Sequence, residues 1–146
     1  MNRLLTTGLV LAVAGLPLSA CKEVETETAT GYTPSTVEEL KEGSKAFPRV
    51  TFTVEGAKRT GLESGRVRRE GGRTVVPYES LIYDAEGKTY IYTSPKPLNY
   101  LRAEVKVDRI EGGRVFLTRG PSAGTTVVTA GTAEVYGAEL DIAGSH

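Results

Sequence analysis

The sequence contains few of the residues on which most catalytic centres depend. Its single histidine, His146, is the last residue, and its glycine pairs lie in hairpin contexts rather than in a phosphate-binding loop. A general base at a frayed terminus is hard to hold in position, so Ser–His and Cys–His catalysis is not expected. Paired carboxylates stay open as an alternative, although Asp84, Asp108 and Asp141 are predicted in turns or at exposed strand positions. The sequence therefore predicts a protein that is not an enzyme.

The chain also lacks a net charge, with 18 basic and 18 acidic residues, so it shows no bias toward nucleic acid. The charges are unevenly placed. Residues 22–45 contain six Glu and three Lys, whereas residues 58–73 contain six basic residues and two Glu. The candidate contacts with a partner or with anionic headgroups are Arg66, Arg68, Arg69 and Arg73. The alternative is a solvated strand edge whose charges deter pairing with another chain.

The only cysteine follows a short apolar segment near the start of the chain. Arg3 precedes an apolar run over residues 4–16, and the segment ends in Leu-Ser-Ala-Cys at residues 18–21. This layout is typical of a secretory signal. The run is shorter than the roughly 20 apolar residues that a membrane-spanning helix needs. Its last four residues resemble the bacterial lipobox, which predicts cleavage between Ala20 and Cys21 and acylation of Cys21.

Acylation would fix where the protein resides. Two or more acyl chains, such as palmitate, hold a protein stably on a membrane, so we expect an extracytoplasmic lipoprotein of the cell envelope. The alternatives are an unmodified thiol at Cys21 and an uncleaved anchor. An acylated Cys21 and the loss of Met1 with the signal would leave neither a Cys–His metal site nor a thioether copper site. No metal and no cofactor is predicted.

The mature chain is predicted to have two parts. Residues 1–20 are assigned to the signal peptide, and residues 21–46 to the acylated cysteine and a flexible acidic tether with almost no large apolar residues. Residues 47–146 are assigned to one β-rich domain. Short alternating segments separated by glycine pairs predict an all-β fold, a small antiparallel sandwich or barrel of short strands.

Three further features of the domain carry predictions. A short helix is expected over residues 54–60, ended by Gly61. Residues 101–108 alternate so clearly that Leu101 and Val105 are predicted on the buried face, with Arg102 on the solvated face. Residues 133–142 are predicted as a short helix or loop followed by an edge strand. The tyrosines Tyr78, Tyr83, Tyr90, Tyr92, Tyr100 and Tyr136 could line a stacking groove or fill a small core, and both alternatives stay open.

Four stretches of the domain carry a resemblance to a known family: residues 76–83, 87–92, 102–105 and 120–131. They resemble the membrane-proximal domain of the periplasmic adaptor (membrane-fusion) subunits of RND-type efflux pumps. Residues 49–67 resemble the lead-in that opens the mature region of such adaptors. In the family a barrel-sandwich, a helical hairpin and a β-barrel separate the two matches, whereas here they are joined directly through residues 68–74.

The resemblance implies a β-rich domain that docks beside a transporter. Together with the lipobox, it leads us to expect a non-catalytic, membrane-anchored accessory module of an efflux transporter or another envelope complex. The alternative is a standalone lipoprotein that binds a small ligand.

Overall fold

The computed structural model describes residues 33–38 and 47–143, with side chains described as far as residue 140. The chain divides into two units, Met1–Thr30 and Gly31–His146, and all the described residues belong to the second. The predicted signal peptide, its cleavage site at Ala20, the lipidation site Cys21 and the terminal His146 lie outside the described residues.

Strands dominate the described part of the chain and form one antiparallel sheet that curls into a half-barrel. In chain order they are β1 (Ser35–Glu38), β2 (Arg49–Phe52), β3 (Glu63–Arg66), β4 (Arg68–Glu70), β5 (Arg73–Pro77), β6 (Ile82–Tyr83), β7 (Thr89–Lys96), β8 (Asn99–Glu111), β9 (Arg114–Arg119) and β10 (Thr126–Ala130). The main path is β3-β10-β7-β8-β9-β5-β4, while β2 pairs with β1 and β8, and β6 pairs with β7. The predicted all-β antiparallel fold is confirmed.

The central hairpin of β7 and β8 is covered on both faces. One core lies on the face that includes Tyr92, and the other lies on the face that includes Ile91; both side chains are fully buried. The first core contains Val50, Phe52, Ala57, Ile82, Tyr92, Tyr100, Val128 and Val135. The second core contains Val67, Val76, Ile91, Val105, Val115, Leu117 and Val127. Successive residues of a strand point to opposite faces, so adjacent buried residues in β7 require two cores.

Helix α1 (Val54–Arg59) confirms the short predicted helix to within one residue. The side chain of Thr53 caps its start by accepting a hydrogen bond of 2.9 Å from the backbone N–H of Gly56. Gly61 follows the end of the helix with a φ of 65°, a conformation that favours glycine. Gly56 packs directly against the backbone carbonyl of Pro34, where a Cβ atom would overlap the oxygen. The helix is therefore fixed against the segment that leads into β1.

The assignment of residues 21–46 to a tether is wrong for Ser35–Glu38. These residues form β1 and pair along their length with β2, and the N–H of Thr53 donates to the carbonyl of Pro34 at 3.0 Å. Ser35 is buried, and Val37 packs against the first core. The edge of β2 supplies backbone hydrogen bonds to a segment whose composition alone would not sustain a strand.

The edge strand predicted near the end of the chain is also wrong. Helix α2 (Thr132–Ala143) occupies that segment. Its first turn is tied to the rest of the fold by Thr132, whose hydroxyl donates to the carbonyl of Glu79 at 2.7 Å. Val135 and Glu139, four residues apart and therefore on one side of the helix, are both buried. The helix thus covers the face of the sheet that contains the first core.

Candidate functional site

The four arginines predicted as partner or headgroup contacts lie on three consecutive strands. Arg66 ends β3, Arg68 and Arg69 belong to β4, and Arg73 begins β5. All four are exposed, and β4 is the last strand of the main sheet path. The predicted turn between β4 and β5 is confirmed.

Val67, the residue between β3 and β4, is buried. Its N–H donates to the carbonyl of Thr125 at 2.9 Å, and its carbonyl accepts from the N–H of Gly124 at 2.8 Å. The pairing partner changes at this residue: β3 pairs with β10, whereas β4 pairs with β5. Arg66 and Arg68 therefore lie on strands that pair with different neighbours.

The structure divides the four arginines between two surfaces. In β4, Arg68 lies opposite Val75 and Arg69 lies opposite Thr74, so the two neighbours point to opposite faces of the sheet. Arg66 and Arg68 line an apolar cavity of about 330 Å³. Arg69 and Arg73 line a more polar cleft of about 360 Å³. The single basic patch expected from the sequence is two sites.

The polar cleft, which we call the arginine cleft, is lined by Arg69, Arg73 and Arg119 and by the loop of residues 120–123. Arg119 makes a 2.6 Å ion pair with Glu104, and the Nε of Arg73 lies 3.6 Å from Asp108. Arg69 makes no ion pair with any residue in the described ranges. The cleft therefore holds guanidinium charge that the described part of the protein does not fully neutralise.

The apolar cavity has Val75, Val76 and Pro77 in its wall and three arginines around them, Arg66, Arg68 and Arg114. Arg114 makes a 2.8 Å ion pair with Glu70, which also lines the cavity. Arg66 donates to the backbone carbonyl of Gly124 at 3.0 Å, a neutral partner. Within residues 33–38 and 47–143, Arg68 has no ion-pair partner.

Sequence reasoning missed a buried charged cluster beneath α2. Arg102, predicted on the solvated face of β8, has a side chain only 13% exposed, and its guanidinium pairs with Glu139 at 2.8 Å. The Glu139 side chain is 4% exposed, and its other oxygen accepts a 2.5 Å hydrogen bond from the hydroxyl of Tyr92. The prediction for Arg102 is wrong because α2 covers that face. The signal in the sequence that could have indicated it is the four-residue spacing of Val135 and Glu139, which places both on one face of a helix.

Three aromatic rings surround the same guanidinium. Its central carbon lies 4.1 Å from the ring centre of Phe47, 5.0 Å from that of Tyr90 and 5.4 Å from that of Tyr136. Such contacts stabilise a cation more strongly when water is excluded. Burial of Tyr92, reinforced by its hydrogen bond to Glu139 and the charge of that carboxylate, raises the pKa of the Tyr92 phenol far above its ordinary value. The cluster joins the sheet to α2 and has a structural role.

The tyrosines are not gathered into a groove. Tyr90, Tyr92 and Tyr100 are buried, which confirms the core alternative for these three. Tyr78 and Tyr83 are about half exposed, at 45% and 48%. The core, rather than a stacking surface, is the main place of the tyrosines.

The carboxylates singled out in the sequence have structural partners. Asp84 accepts a hydrogen bond of 2.7 Å from the N–H of Lys88 and one of 3.0 Å from the hydroxyl of Tyr90. Burial opposes ionisation of Asp84, but these hydrogen bonds and the charge of Lys88 outweigh it and lower its pKa. Asp108 pairs with Arg73 and Arg109. The side chain of Asp141 lies outside the described part of the structure.

The described residues form neither a cluster of metal ligands nor a membrane-spanning helix. Across residues 33–38 and 47–143, no group of three or more His, Cys, Asp or Glu side chains is placed to hold a metal ion. Neither α1 nor α2, nor any other described helical segment, has the length and apolar character to cross a membrane.

No protein-family model matches the chain, and no curated protein matches it. The relationship to efflux-pump adaptors therefore stays a prediction that rests on the residues quoted above.

Proposed function

We propose that this protein is a lipid-anchored, non-catalytic module of the cell envelope that docks an acidic surface of a membrane partner through the arginine cleft. A transporter subunit is the partner that the sequence resemblance suggests. The observation that carries the proposal is the position of Arg69. It lies exposed on the edge strand β4, makes no ion pair with the described residues, and shares a cleft with Arg73 and Arg119.

The chemistry of the cleft favours carboxylates. A guanidinium presents a planar fork of donors that matches a carboxylate in two parallel hydrogen bonds. Surface charges of this kind mainly increase association rates and select partners, and salt screens them. Anchoring both proteins in one membrane would raise their effective concentration, so a contact of modest affinity would be enough for them to associate.

The edge position of β4 also limits how a partner can bind. Arginines on a short edge strand deter the addition of a further strand from another chain. The alternative interpretation of the basic segment, as protection of a sheet edge, is therefore compatible with docking. We propose that the partner contacts the arginine side chains and does not extend the sheet.

A site-specific crosslinking experiment tests the proposal. The photocrosslinking amino acid p-benzoylphenylalanine replaces Arg69 in one variant and, as a matched control, Lys58, an exposed cation on α1. Because replacing Arg69 also removes its charge, a third variant carries the crosslinker at Thr118, which lines the cleft. Illumination of intact membranes should join positions 69 and 118, but not 58, to the same envelope protein.

If the crosslink reports docking through the arginine cleft and not chance proximity, its yield should depend on the charge of the cleft. The crosslink at position 118 should weaken several-fold in the Arg69→Gln and Arg119→Gln variants, which each remove a positive charge from the cleft. It should also weaken at high salt, which screens the remaining charge. Equal yields from positions 58 and 118, or a yield unaffected by both substitutions, would contradict the proposal. Mass spectrometry of the mature chain tests the anchor separately, since diacylated or triacylated Cys21 is expected.

A further inference from the structure

The apolar cavity exists because strand pairing stops on one side of β5. The ladder between β4 and β5 ends at the pair Arg68–Val75, while β5 continues for two more residues, Val76 and Pro77. On their other side these two residues pair with β9. The side facing away from β9 is thus left without a β4 partner, and the cavity of about 330 Å³ opens there.

The pairing partner of the chain changes at Val67: β3, before it, pairs with β10, whereas β4, after it, pairs with β5. The register of β10 against β3 shifts between Val128 and Ala130, so that Thr129 is skipped. Thr129 and Gly65 also line the cavity. A Cβ atom on Gly65 would lie 2.9 Å from the methyl carbon of Thr129, so the glycine lets the two strands approach each other while the cavity beside them remains.

The charges around the opening are unbalanced. Arg66, Arg68 and Arg114 supply three guanidinium groups, and Glu70 is the one carboxylate among the lining residues. Arg114 uses Glu70 as its ion-pair partner, and Arg66 is bonded to a neutral carbonyl. Arg68 has no ion pair within the described part of the chain. A small anion could therefore enter without breaking an existing ion pair.

We propose that this cavity binds a small carboxylate with an apolar body. The apolar part would lie against Pro77 and Val75, which share the face of Arg68, and the carboxylate would accept two hydrogen bonds from Arg68. A volume of about 330 Å³ is at the lower end of the range typical of ligand pockets, which suits a medium-chain or single-ring acid rather than a large ligand. The site uses different arginines from the arginine cleft and does not depend on docking there.

Binding requires both the carboxylate and the apolar body of the proposed ligand. The wall is mainly apolar, so inorganic phosphate would satisfy the arginines and leave the apolar surface in water. A neutral amide of the same length would cover the apolar wall without compensating Arg68. Octanoate combines both properties and is the probe of choice, with octanamide, acetate and phosphate as its matched comparisons.

Photolabelling tests the site on the full chain, purified into nanodiscs of zwitterionic phosphatidylcholine. An octanoate analogue carrying a terminal diazirine is added, and the labelled peptides are identified by mass spectrometry. We expect labelling in the peptide containing Val75–Pro77, with octanoate at least tenfold more effective as a competitor than octanamide, acetate or phosphate. Loss of a charged hydrogen-bonding group costs binding about tenfold or more, so Arg68→Gln should reduce labelling by that factor.

The matched control is Arg69→Gln, the same substitution at the adjacent residue on the opposite face of β4. It should leave labelling unchanged, and both variants should keep the wild-type circular dichroism spectrum because both side chains are exposed. Equal effects of the two substitutions, or equal competition by octanamide and octanoate, would overturn the proposal. So would labelling confined to other peptides. Stronger competition by monomeric dihexanoyl-phosphatidylglycerol than by octanoate would assign the cavity to a phospholipid and also overturn it.

Discussion

The buried pair of Arg102 and Glu139 gives the sharpest test of how this fold is held together. Replacing Glu139 by alanine would leave the guanidinium of Arg102, now 13% exposed, without its counter-charge beneath α2. The same substitution would remove the acceptor of the Tyr92 hydroxyl. Breaking a buried ion pair from one side costs about 3–5 kcal/mol, because the remaining charge stays desolvated.

That loss is large relative to the stability of a small domain, which is typically about 5–15 kcal/mol. For a domain of roughly 100 residues, each 1 kcal/mol lowers Tm by about 4–8 °C, so Glu139→Ala should lower Tm by roughly 12–40 °C. Thermal unfolding followed by circular dichroism measures this change. Native-state hydrogen exchange should show that α2 loses protection.

The control is Glu134→Ala, which removes an exposed carboxylate from the first turn of the same helix. Its loss should cost about 1 kcal/mol or less, the usual contribution of a charge to the helix dipole. The triple variant Arg102→Met, Glu139→Leu and Tyr92→Phe removes all the polar groups together and should recover most of the stability. If Glu139→Ala cost no more than Glu134→Ala, the ion pair would not hold α2 to the sheet and our reasoning would be refuted.

Three other predictions concern single positions. Gly56→Ala should lower the free energy of unfolding by about 1–3 kcal/mol, because the added methyl group overpacks against the backbone carbonyl of Pro34. Gly137→Ala, whose Cβ meets no atom within 4 Å, should raise it by up to about 1 kcal/mol; denaturant unfolding measures both changes. The pKa of Asp84 is lower in the folded state than its value of 3.8 in the unfolded state. The stability that the ionised carboxylate contributes is therefore fully present above pH 3.8 and is lost as the pH falls through the folded-state pKa. NMR titration should show a higher Asp84 pKa in Tyr90→Phe, which removes a hydrogen-bond donor to the carboxylate. Cys21→Ser should move the protein from the membrane fraction to the soluble fraction on cell fractionation; an unchanged distribution would count against acylation.

The local features of this fold could be read from the sequence. Glycine pairs fixed the hairpin turns, and the alternation over residues 101–108 identified the longest strand. Gly61 marked the end of a helix whose limits were predicted to within one residue. These features depend on neighbours within a few positions, and that is where propensity and turn chemistry act most strongly.

The features that were missed depend on contacts between distant segments. Arg102 fits the polar half of an alternating strand, and only the arrival of α2 some 35 residues later buries it. Ser35–Glu38 becomes a strand because β2 offers a free edge. For the candidate site, the pleat predicts that Arg68 and Arg69 point apart. What no local pattern marks is that Arg66 and Arg68, on strands with different pairing partners, line one cavity, while Arg69 and Arg73 line another cleft.

The turn at Gly71 and Gly72 has a consequence for how this chain can be lengthened. Both glycines have positive φ, at 54° and 78°, and a Cβ atom added to either would meet no atom within 4 Å. The flanking residues Glu70 and Arg73 are paired across the ladder, so the two ends of the turn lie side by side. Exposed loop tips with adjacent ends tolerate insertions best, and each doubling of a flexible loop costs only about 0.6 kcal/mol in closure entropy. An entire folded module whose termini lie close together could thus be spliced in at this tip without disturbing either hydrophobic cluster.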